Sequence, residues 1–379
     1  MRSQKPAARA ARVLVLGAVV ALGANLAACG GSGGTSADLP PGPPTKAPPG
    51  NLVLYVAESQ GDRINAYRLG SDGLLPSAPF DTIFVNNPRR LALGNGVLYA
   101  TLDTRVVSMT LGPNGELPTV PTSLTVGNDN LDPVDIKYRD GVIYVASRGL
   151  ERVQSYVLTA DGALPPVPTG EGTGQYPAEY QSIAFDGDYL YSGARNTQYI
   201  DMFILKNDGN VPVDAELQDP QDSIALPDDI EVRDGFLYVT SGSDKSVRAY
   251  RIMNNGFLPG DYNSRTATEE YFSDIILSGD ILYASAYDKG QIDLFAIDPS
   301  GNLPEEKPYA QTQDDPQAFP SQMILNDGIL YVAQAGWNRV DAYVLNAQGV
   351  PPAYPSSSTR PATKDELLFP LGMALYRLN

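Results

Sequence analysis

Short apolar segments recur seven times between residues 52 and 379. Each copy holds a Leu–Tyr or Ile–Tyr pair, and successive pairs are 44 to 48 residues apart. A second segment, with the pattern V/I-x-x-Y/F/M-x-L/I, begins seven to nine residues later and leads into a turn that contains glycine. The alternation of apolar and polar positions indicates β-strands, and glycine supplies the positive φ that a tight turn needs. The tyrosines are Tyr55, Tyr99, Tyr144, Tyr191, Tyr238, Tyr283 and Tyr331, and the turn glycines are Gly73, Gly115, Gly162, Gly209, Gly256, Gly301 and Gly349.

Each later copy also carries a short strand and a turn ahead of its tyrosine pair, as at residues 91–96 and 136–141. The 328 residues from 52 to 379 give about 47 residues for each of seven copies. Four strands in that length match one blade of a β-propeller. No helical period of useful length runs through the copies. The pattern therefore predicts an all-β fold, a seven-bladed β-propeller with four antiparallel strands in each blade.

The two ends of the repeat region complement each other. The first copy begins at Leu52 without the strand that precedes every other tyrosine pair. Residues 370–375, PLGMAL, match that missing strand as it occurs in residues 88–93, PRRLAL. We therefore expect the C-terminal strand to join the N-terminal blade and close the ring, because this pairs an otherwise open sheet edge. An open β-solenoid or two separate β-domains are the alternatives, and neither explains the complementary ends.

The N-terminus has the features of a bacterial export signal. A basic segment, with Arg2, Lys5, Arg9 and Arg12, precedes an apolar stretch at residues 13–24 that is too short to span a bilayer. Residues 26–30, LAACG, resemble a bacterial lipobox, and Cys29 is the only cysteine of the chain. We predict a lipoprotein signal peptide over 1–28, a lipidated Cys29 with a Gly/Ser/Pro-rich tether over 29–51, and the propeller over 52–379. An ordinary secretory signal is the alternative.

This leader predicts a location as well as a processing event. It places the protein in a bacterial cell envelope, held to the membrane by the lipid on Cys29. Gly30, directly after the cysteine, resembles the residue found in lipoproteins that are sorted to an outer membrane. The outer membrane is therefore the predicted address.

Charge and composition exclude several function classes. The chain has 27 Lys and Arg residues against 44 Asp and Glu residues, which gives a net charge of −17. Nucleic-acid binding needs basic side chains that replace counterions, so no nucleic-acid partner is expected. The chain also contains no histidine. Ser-His-Asp and Cys-His nucleophile systems and an imidazole general base are therefore excluded within this chain.

Two parts of the repeat resemble a known family. They are residues 88–100, PRRLALGNGVLYA, and the recurring V-x-x-Y-x-L-x-x-D-G-x-L-P. Both resemble the seven-bladed lactonase family, relatives of bacterial phosphogluconolactonase, over residues 52–379. The resemblance implies a lactonase site of Arg, Glu and His at the mouth of the central channel. This chain offers Arg89 or Arg90 at the arginine position and has no histidine.

Two sets of loops meet on one face of a propeller, around its channel, and this face is the expected ligand site. The loops leading into the inner strands carry Arg89, Arg90, Asp132, Asp135, Glu179, Gln181, Asp228, Asp229, Asp274 and Gln322. The loops between second and third strands carry Arg148, Arg195, Asn196, Lys245, Asp288, Lys289, Trp337 and Asn338. We predict a ligand-binding face that includes Arg89, Glu179, Gln322 and Trp337. Trp337 suits a sugar or a protein partner if its indole is exposed, and packing over its own blade is the alternative.

Asp135, Asp229 and Asp274 share one position, directly before the first apolar residue of an inner strand. Carboxylates suit Ca²⁺, and the resemblance to propeller lactonases also implies Ca²⁺. Such an ion would polarise a lactone carbonyl or activate water, and Arg90 would be the catalytic side chain that stabilises the developing charge. Alternatively, the three acids accept backbone N–H bonds at the inner-strand turns. Both interpretations remain open.

Two functions from different classes follow from the sequence. The first is a lipid-anchored binding or scaffold module that engages a protein or a glycan on its channel face, and the missing histidine favours it. The second is a lactonase-like hydrolase for a sugar lactone or a related ester, with Ca²⁺ as its candidate cofactor.

Overall fold

The computed structural model of the protein describes residues 49–174, 176, 178–197, 199–216, 226–266, 268, 270–359 and 368–378. Cys29, with the predicted leader and nearly all of the predicted tether, lies outside the described residues. Within them, no helix is long and apolar enough to cross a membrane.

The described residues form 27 strands and one short 3₁₀ helix, Ser59–Gly61. The first fourteen strands are β1 (Pro49–Glu58), β2 (Arg63–Gly70), β3 (Asp81–Phe84), β4 (Leu91–Gly94), β5 (Val97–Thr101), β6 (Val106–Thr110), β7 (Ser123–Leu124), β8 (Pro133–Arg139), β9 (Val142–Ser147), β10 (Arg152–Val157), β11 (Gly170–Gly172), β12 (Tyr180–Asp186), β13 (Tyr189–Ala194) and β14 (Ile200–Ile204). The others are β15 (Ile230–Arg233), β16 (Phe236–Ser241), β17 (Ser246–Arg251), β18 (Ser264–Arg265), β19 (Phe272–Ser278), β20 (Ile281–Ala286), β21 (Gln291–Ala296), β22 (Ala310–Gln311), β23 (Pro320–Asn326), β24 (Ile329–Gln334), β25 (Arg339–Val344), β26 (Ser357–Ser358) and β27 (Pro370–Arg377).

These strands form seven separate antiparallel sheets, which confirms the predicted seven-bladed propeller. Blade 1 has the order β27-β1-β2-β3, and blades 2 and 3 are β4 to β7 and β8 to β11. Blade 4 is β12 to β14, and blades 5, 6 and 7 are β15 to β18, β19 to β22 and β23 to β26. In blade 4 the place of an outer strand is marked, among the described residues, by one antiparallel bridge between Met202 and Glu216.

The C-terminal strand closes the ring, as predicted from the complementary ends. β27 pairs antiparallel with β1, so that Leu375 lies opposite Leu54 and Met373 lies opposite Val56. β1 begins at Pro49, three residues before the boundary predicted at residue 52. The inner strands of neighbouring blades contact each other in the order β27, β4, β8, β12, β15, β19, β23 and back to β27. These seven strands therefore surround the channel.

The repeated tyrosines and the repeated turn glycines bond to each other between blades. The Tyr99 hydroxyl donates to the Gly162 carbonyl at 2.8 Å, and the Tyr331 hydroxyl donates to the Gly73 carbonyl at 2.7 Å across the closure. The other five tyrosines make the same bond to the next blade at 2.6 to 2.8 Å. All seven glycines have φ between 76° and 86°. One motif thus joins every blade to its neighbour.

Apolar side chains fill the spaces between adjacent blades. Between blades 2 and 3, for example, Tyr99 and Val106 pack with Ile143 and Tyr156, and all four are at most 2 % exposed. Full burial of one such apolar side chain contributes roughly 1.5–3 kcal/mol. The alternation seen in the sequence is therefore the packing of one blade on the next.

Five inner strands begin with a β-bulge. The register of β8 against β9 shifts by one residue between Pro133 and Asp135, and β12, β19, β23 and β27 shift at the corresponding place. A bulge adds one residue to one strand and turns its side chain in a new direction. In these five blades the bulge therefore sets the direction of the side chains at the channel end of the ring.

Candidate functional site

A cavity of about 830 Å³ opens where the inner strands begin, and we call it the mouth. As expected from the sequence, it is lined by the starts of inner strands and by loops between second and third strands. The lining residues are Ser59, Gln60, Asn87, Arg89, Arg90, Val134, Arg148, Gln181, Arg195, Asp228, Lys245, Tyr271, Ser273, Tyr287, Asp288, Ser321, Phe369 and Leu371.

In every blade the residue before the predicted position lines the mouth, and in five of the seven inner strands a bulge lies at this place. Seven equivalent positions line it, one from each blade: Arg89, Val134, Gln181, Asp228, Ser273, Ser321 and Leu371. Asp135, Asp229, Asp274 and Gln322, which directly follow four of these positions, do not line this cavity. The alternation rule alone could not find this ring of residues, because an added residue at the strand start shifts the register.

The predicted acids instead join neighbouring blades. Asp135 Oδ2 accepts the Ile183 N–H of the next inner strand at 2.9 Å. Asp229 Oδ2 accepts the Ile275 N–H at 2.9 Å, Asp274 Oδ2 accepts the Met323 N–H at 2.8 Å, and Gln322 Oε1 accepts the Met373 N–H. The sequence analysis placed such bonds within each inner-strand turn, whereas these bonds cross to the next blade. We call these four side chains the latch residues.

The latch residues do not form a donor set for Ca²⁺. One oxygen of each carboxylate is used by a backbone N–H, and both Asp135 oxygens are used, since Oδ1 accepts the Ile136 N–H at 2.8 Å. Within the described residues, no three acidic side chains lie close enough together to hold one ion. We therefore derive no chemical step through a metal.

Basic side chains dominate the mouth, although the chain as a whole is acidic. They are Arg89, Arg90, Arg148, Arg195 and Lys245. They create a local positive potential that attracts an anionic ligand. Two acidic side chains, Asp228 and Asp288, line the same cavity.

These cations differ in how they are held. Arg89 pairs with Asp103 at 2.7 Å and with Asp132, and Arg148 also pairs with Asp132, at 3.0 Å. Burial raises the pKa of Asp132, but the hydrogen bonds from Arg148 and Arg89 outweigh it and lower the net pKa. These two arginines and two aspartates therefore form one neutralised network at the rim.

Arg90, the predicted catalytic residue, lies at the mouth and donates to the Leu371 carbonyl of blade 1. The Arg195 guanidinium and the Lys245 ammonium make no hydrogen bond and no ion pair within the described chain. These two charges are therefore free to meet a ligand. Sequence reasoning placed both among the face-forming loops but did not select them.

Asp228 is the acidic group best placed for chemistry. Its Oδ2 accepts a hydrogen bond from the Tyr271 hydroxyl, and its backbone N–H donates to Thr240 Oγ1 at 3.0 Å. Burial raises its pKa from 3.8 to about 6, against the opposing charges of Arg195, Arg148 and Arg90. A carboxylate with such a pKa is ionised at neutral pH and accepts protons more readily than an ordinary aspartate.

One polar atom of the mouth lacks a partner within the described residues. Gln181 Oε1 is buried and accepts no hydrogen bond. A buried acceptor without a donor is unusual in a folded protein. Because Gln181 lines the mouth, its Oε1 can accept a hydrogen bond from a hydroxyl group of a ligand. Tyr271 and Tyr287 lie edge to face nearby, with ring centroids 6.2 Å apart.

A cluster of charged side chains lies below the latch residues, in the channel. Lys137 in β8 and Glu231 in β15 are half-buried and follow latch residues by two positions. Asp135, with help from Glu231, Asp229 and Asp274, raises the pKa of Lys137 against the effect of burial. Burial raises the pKa of Asp229 and Glu231, and that of Asp274 to about 7.

Two further predicted ligand residues lie away from the mouth lining. Trp337 is 39 % exposed, and its indole N–H donates to Asp315 Oδ2 at 2.7 Å. The Glu179 backbone holds the loop that carries Arg195, since its carbonyl accepts the Arg195 N–H at 2.9 Å. Of the predicted ligand-binding face, Arg89 alone contributes to this cavity.

No family model and no curated protein matches this chain. Solved structures match it over most of its length. The periplasmic gluconolactonase PpgL of Pseudomonas aeruginosa aligns with a TM-score of 0.69 and 17 % identity, over 86 % of this chain and all of that one. A provisionally assigned 6-phosphogluconolactonase of Bacteroides uniformis aligns with a TM-score of 0.69 and 18 % identity, over 86 % and 99 % of the two chains. At such identity the likeness establishes the fold, and the predicted resemblance is confirmed at that level.

Proposed function

We propose that this chain is a lactonase-like hydrolase that opens a hydroxylated, negatively charged lactone at the mouth. The observation that carries the proposal is Asp228, a carboxylate of raised pKa that lies beside Tyr271 and among the cations of the mouth. The likeness to gluconolactonase propellers supports it. Sugar-acid lactones are the substrate class that such a site suits.

The chain's own side chains supply a complete hydrolytic cycle. Asp228 removes a proton from a water molecule, and the water oxygen forms a bond to the lactone carbonyl carbon. Arg195 stabilises the negative charge that develops on the carbonyl oxygen. The bond between the carbonyl carbon and the ring oxygen then breaks, and Asp228 returns its proton to the ring oxygen. The product is a hydroxy acid, and its ionisation releases one proton to the solution.

Other side chains of the mouth orient the substrate. Lys245 meets an anionic substituent, and Gln181 Oε1 accepts a substrate hydroxyl. The Tyr271 hydroxyl keeps the Asp228 carboxylate in one orientation. Holding both reactants in place is itself a large part of catalysis.

Proton release tests the proposal. The full chain is mixed with a phosphorylated sugar lactone, which carries the negative charge, and with the neutral δ-gluconolactone for comparison. Acid release is compared with the spontaneous rate. We expect turnover that falls by about 10²–10⁴-fold in Asp228→Asn, the usual contribution of a general base. Asp229→Asn is the matched control, because this neighbouring acid faces the next blade and should keep full activity. Absence of turnover, or equal turnover by both variants, contradicts the proposal.

A binding module without turnover is the second candidate function, and the lack of histidine in the chain favours it. Its ligand would be a glycan or a protein that carries negative charge, since the same cations line the mouth. Saturable binding of sugar acids without acid release would select this candidate over the hydrolase.

We further propose that the protein acts in the bacterial cell envelope, anchored to the outer membrane by a lipid on Cys29. The lipobox-like residues 26–30 and the Gly/Ser/Pro-rich segment after them support the anchor. The periplasmic location named for the P. aeruginosa neighbour agrees with it. Cys29→Ala should move the protein from the membrane fraction to the soluble fraction, and retention in the membrane would contradict the anchor.

A further inference from the structure

A second cavity, of about 750 Å³, lies between blades 5 and 6, and we call it the blade 5–6 groove. Three loops contribute to both the groove and the mouth, but each loop presents different side chains to the two cavities. Asp244, Glu270 and Lys289 line the groove, whereas Lys245, Tyr271 and Asp288 line the mouth. The groove is therefore a separate cavity close to the candidate active site.

A buried carboxylate with a vacant acceptor lines the groove. Asp293, in β21, is only 1 % exposed. Its Oδ1 accepts a hydrogen bond from Gln291 Nε2 at 2.7 Å. Its Oδ2 is buried and has no hydrogen-bond partner among the described residues. A buried charge without a partner is costly to the fold, so this oxygen calls for an explanation.

The same strand position in other blades shows what is missing. In blades 1, 3 and 7 the polar side chain at this position bonds to the residue opposite it on the outer strand. The pairs are Asn65–Thr82 at 2.7 Å, Gln154–Glu171 at 2.7 Å and Asp341–Ser358 at 2.5 Å. In blade 6 the residue opposite Asp293 is Gln311, and no hydrogen bond joins the two side chains. Both line the groove.

The groove offers acceptors to a small cation. Asp293 Oδ2 and the Gln311 amide oxygen are two of them, and Glu270 lies close enough to raise the pKa of Asp293. A primary ammonium group has three N–H donors, which match three acceptors. Burial is the main reason that the pKa of Asp293 is raised, to about 6, so this carboxyl is mostly ionised at neutral pH and attracts a cation.

Other ligand classes fit less well. A divalent metal needs more acidic ligands than converge here, since no group of three was found in the described part of the chain. A quaternary ammonium ion has no N–H donor and needs an aromatic cage, and no aromatic side chain among the described residues lines the groove. A polyanion would meet four acids, namely Asp244, Glu270, Asp293 and Asp314, which outnumber the three basic side chains Arg265, Lys289 and Lys307.

We propose that the blade 5–6 groove is a binding site for a small primary amine, whose ammonium group donates hydrogen bonds to Asp293 Oδ2 and to side-chain oxygens of Glu270 and Gln311. Lys289 already forms an ion pair with Glu270 Oε1 at 3.7 Å, so Lys307 is the groove lysine that suits an anionic or hydroxyl group at the other end of the amine. This site is independent of the proposed hydrolysis.

Ligand-dependent thermal stability and calorimetry of the full chain test the site. Methylammonium and ethanolamine are the probes, and sodium and tetramethylammonium chloride at equal ionic strength are the controls. We expect the primary amines to raise the melting temperature in a dose-dependent way, because a ligand of the native state stabilises it. Tetramethylammonium should produce no such rise.

Two matched variants locate the site. Asp293→Asn should weaken amine binding about tenfold or more, as loss of a charged hydrogen bond does. Asp341→Asn changes the corresponding residue of blade 7, whose carboxylate is already bonded, and should keep wild-type affinity. If Asp293→Asn does not fold, Glu270→Gln at the same groove should weaken binding in its place.

Three results would overturn the proposal. The first is that neither primary amine binds. The second is that Asp293→Asn, or Glu270→Gln used in its place, binds the amine as tightly as the wild type does. The third is that tetramethylammonium raises the melting temperature as much as the primary amines do.

Discussion

Asp228 and Asp229 are consecutive residues directly before the inner strand β15, yet their side chains belong to different parts of the molecule. Asp228 lines the mouth and accepts the Tyr271 hydroxyl. Asp229 turns to the next blade and accepts the Ile275 N–H at 2.9 Å. Burial raises the pKa of both. A raised pKa alone therefore does not identify the functional acid, whereas the bonding partners of the carboxylate do.

The same division holds in blades 4, 6 and 7. Gln181, Ser273 and Ser321 line the mouth, and the residues after them lie behind it. Of those, Asp274 and Gln322 are latch residues. A substitution at a residue that lines the mouth can thus change the chemistry of the site, while the residue after it still bonds to the next blade. The following predictions test this division, from the largest expected effect to the smallest.

Arg195 should matter for catalysis and little for stability. Because its guanidinium has no partner within the described residues, Arg195→Met removes a charge from the mouth without breaking a bond. We expect kcat/KM for lactone hydrolysis to fall by about 10²–10³-fold, as on loss of an oxyanion donor.

Arg89→Met is the contrasting control, because Arg89 is held by Asp103 and Asp132. It should lower the melting temperature, whereas Arg195→Met should not. If the two variants behave alike, the distinction between free and neutralised cations at the mouth is wrong.

Asp229 should matter for stability through its hydrogen bond and not through its charge. Asp229→Ala leaves the Ile275 N–H without its acceptor and should lower the free energy of unfolding by about 1–3 kcal/mol. Asp229→Asn keeps an acceptor oxygen and should retain most of that stability. Denaturant unfolding of both variants measures the difference, and equal losses would contradict the latch.

Tyr99 tests the bond that joins one blade to the next. Tyr99→Phe removes the hydroxyl that donates to the Gly162 carbonyl at 2.8 Å and leaves the ring packing in place. We expect a loss of about 1 kcal/mol in the free energy of unfolding, the usual value for one hydrogen bond. Lactone hydrolysis should not change, because Tyr99 lies between blades 2 and 3.

The channel carboxyls should give stability a specific pH dependence. Burial raises the pKa of Asp274 from 3.8 to about 7, so the folded chain holds this proton more tightly than the unfolded chain does. The free energy of unfolding should therefore fall as pH rises between these two values. Asp274→Asn keeps an oxygen for the Met323 N–H and should reduce this slope. A slope unchanged in the variant would show that another group causes it.

The repeats could be predicted because each repeated residue has the same local task in every blade. The seven tyrosines and seven turn glycines are visible as a period, and the structure joins them by one kind of hydrogen bond. The closure could be predicted because an unpaired strand edge has to be covered. Patterns set by strand pairing and packing are therefore readable from one sequence.

The mouth could be predicted as a face but not residue by residue. Asp228, Arg195 and Gln181 belong to the loops that the sequence identified, whereas the residues selected for Ca²⁺ were the latch residues beside them. At Asp135 and Asp274 a bulge accompanies this offset, and a bulge depends on pairing between strands and leaves no clear mark in the sequence. Asp229 shows the same offset directly before β15, whose pairing with β16 is regular. Trp337 was selected as an exposed aromatic residue, and its bond to Asp315 involves a residue 22 positions away.

The pH dependence of kcat/KM for lactone hydrolysis tests the central claim most directly. If Asp228 is the general base, the rate should rise with pH and level off above an apparent pKa of about 6, and this limb should be absent in Asp228→Asn. Asp229→Asn should retain the same limb. A wild-type enzyme without that limb, or an Asp228→Asn variant that keeps it, would contradict the account.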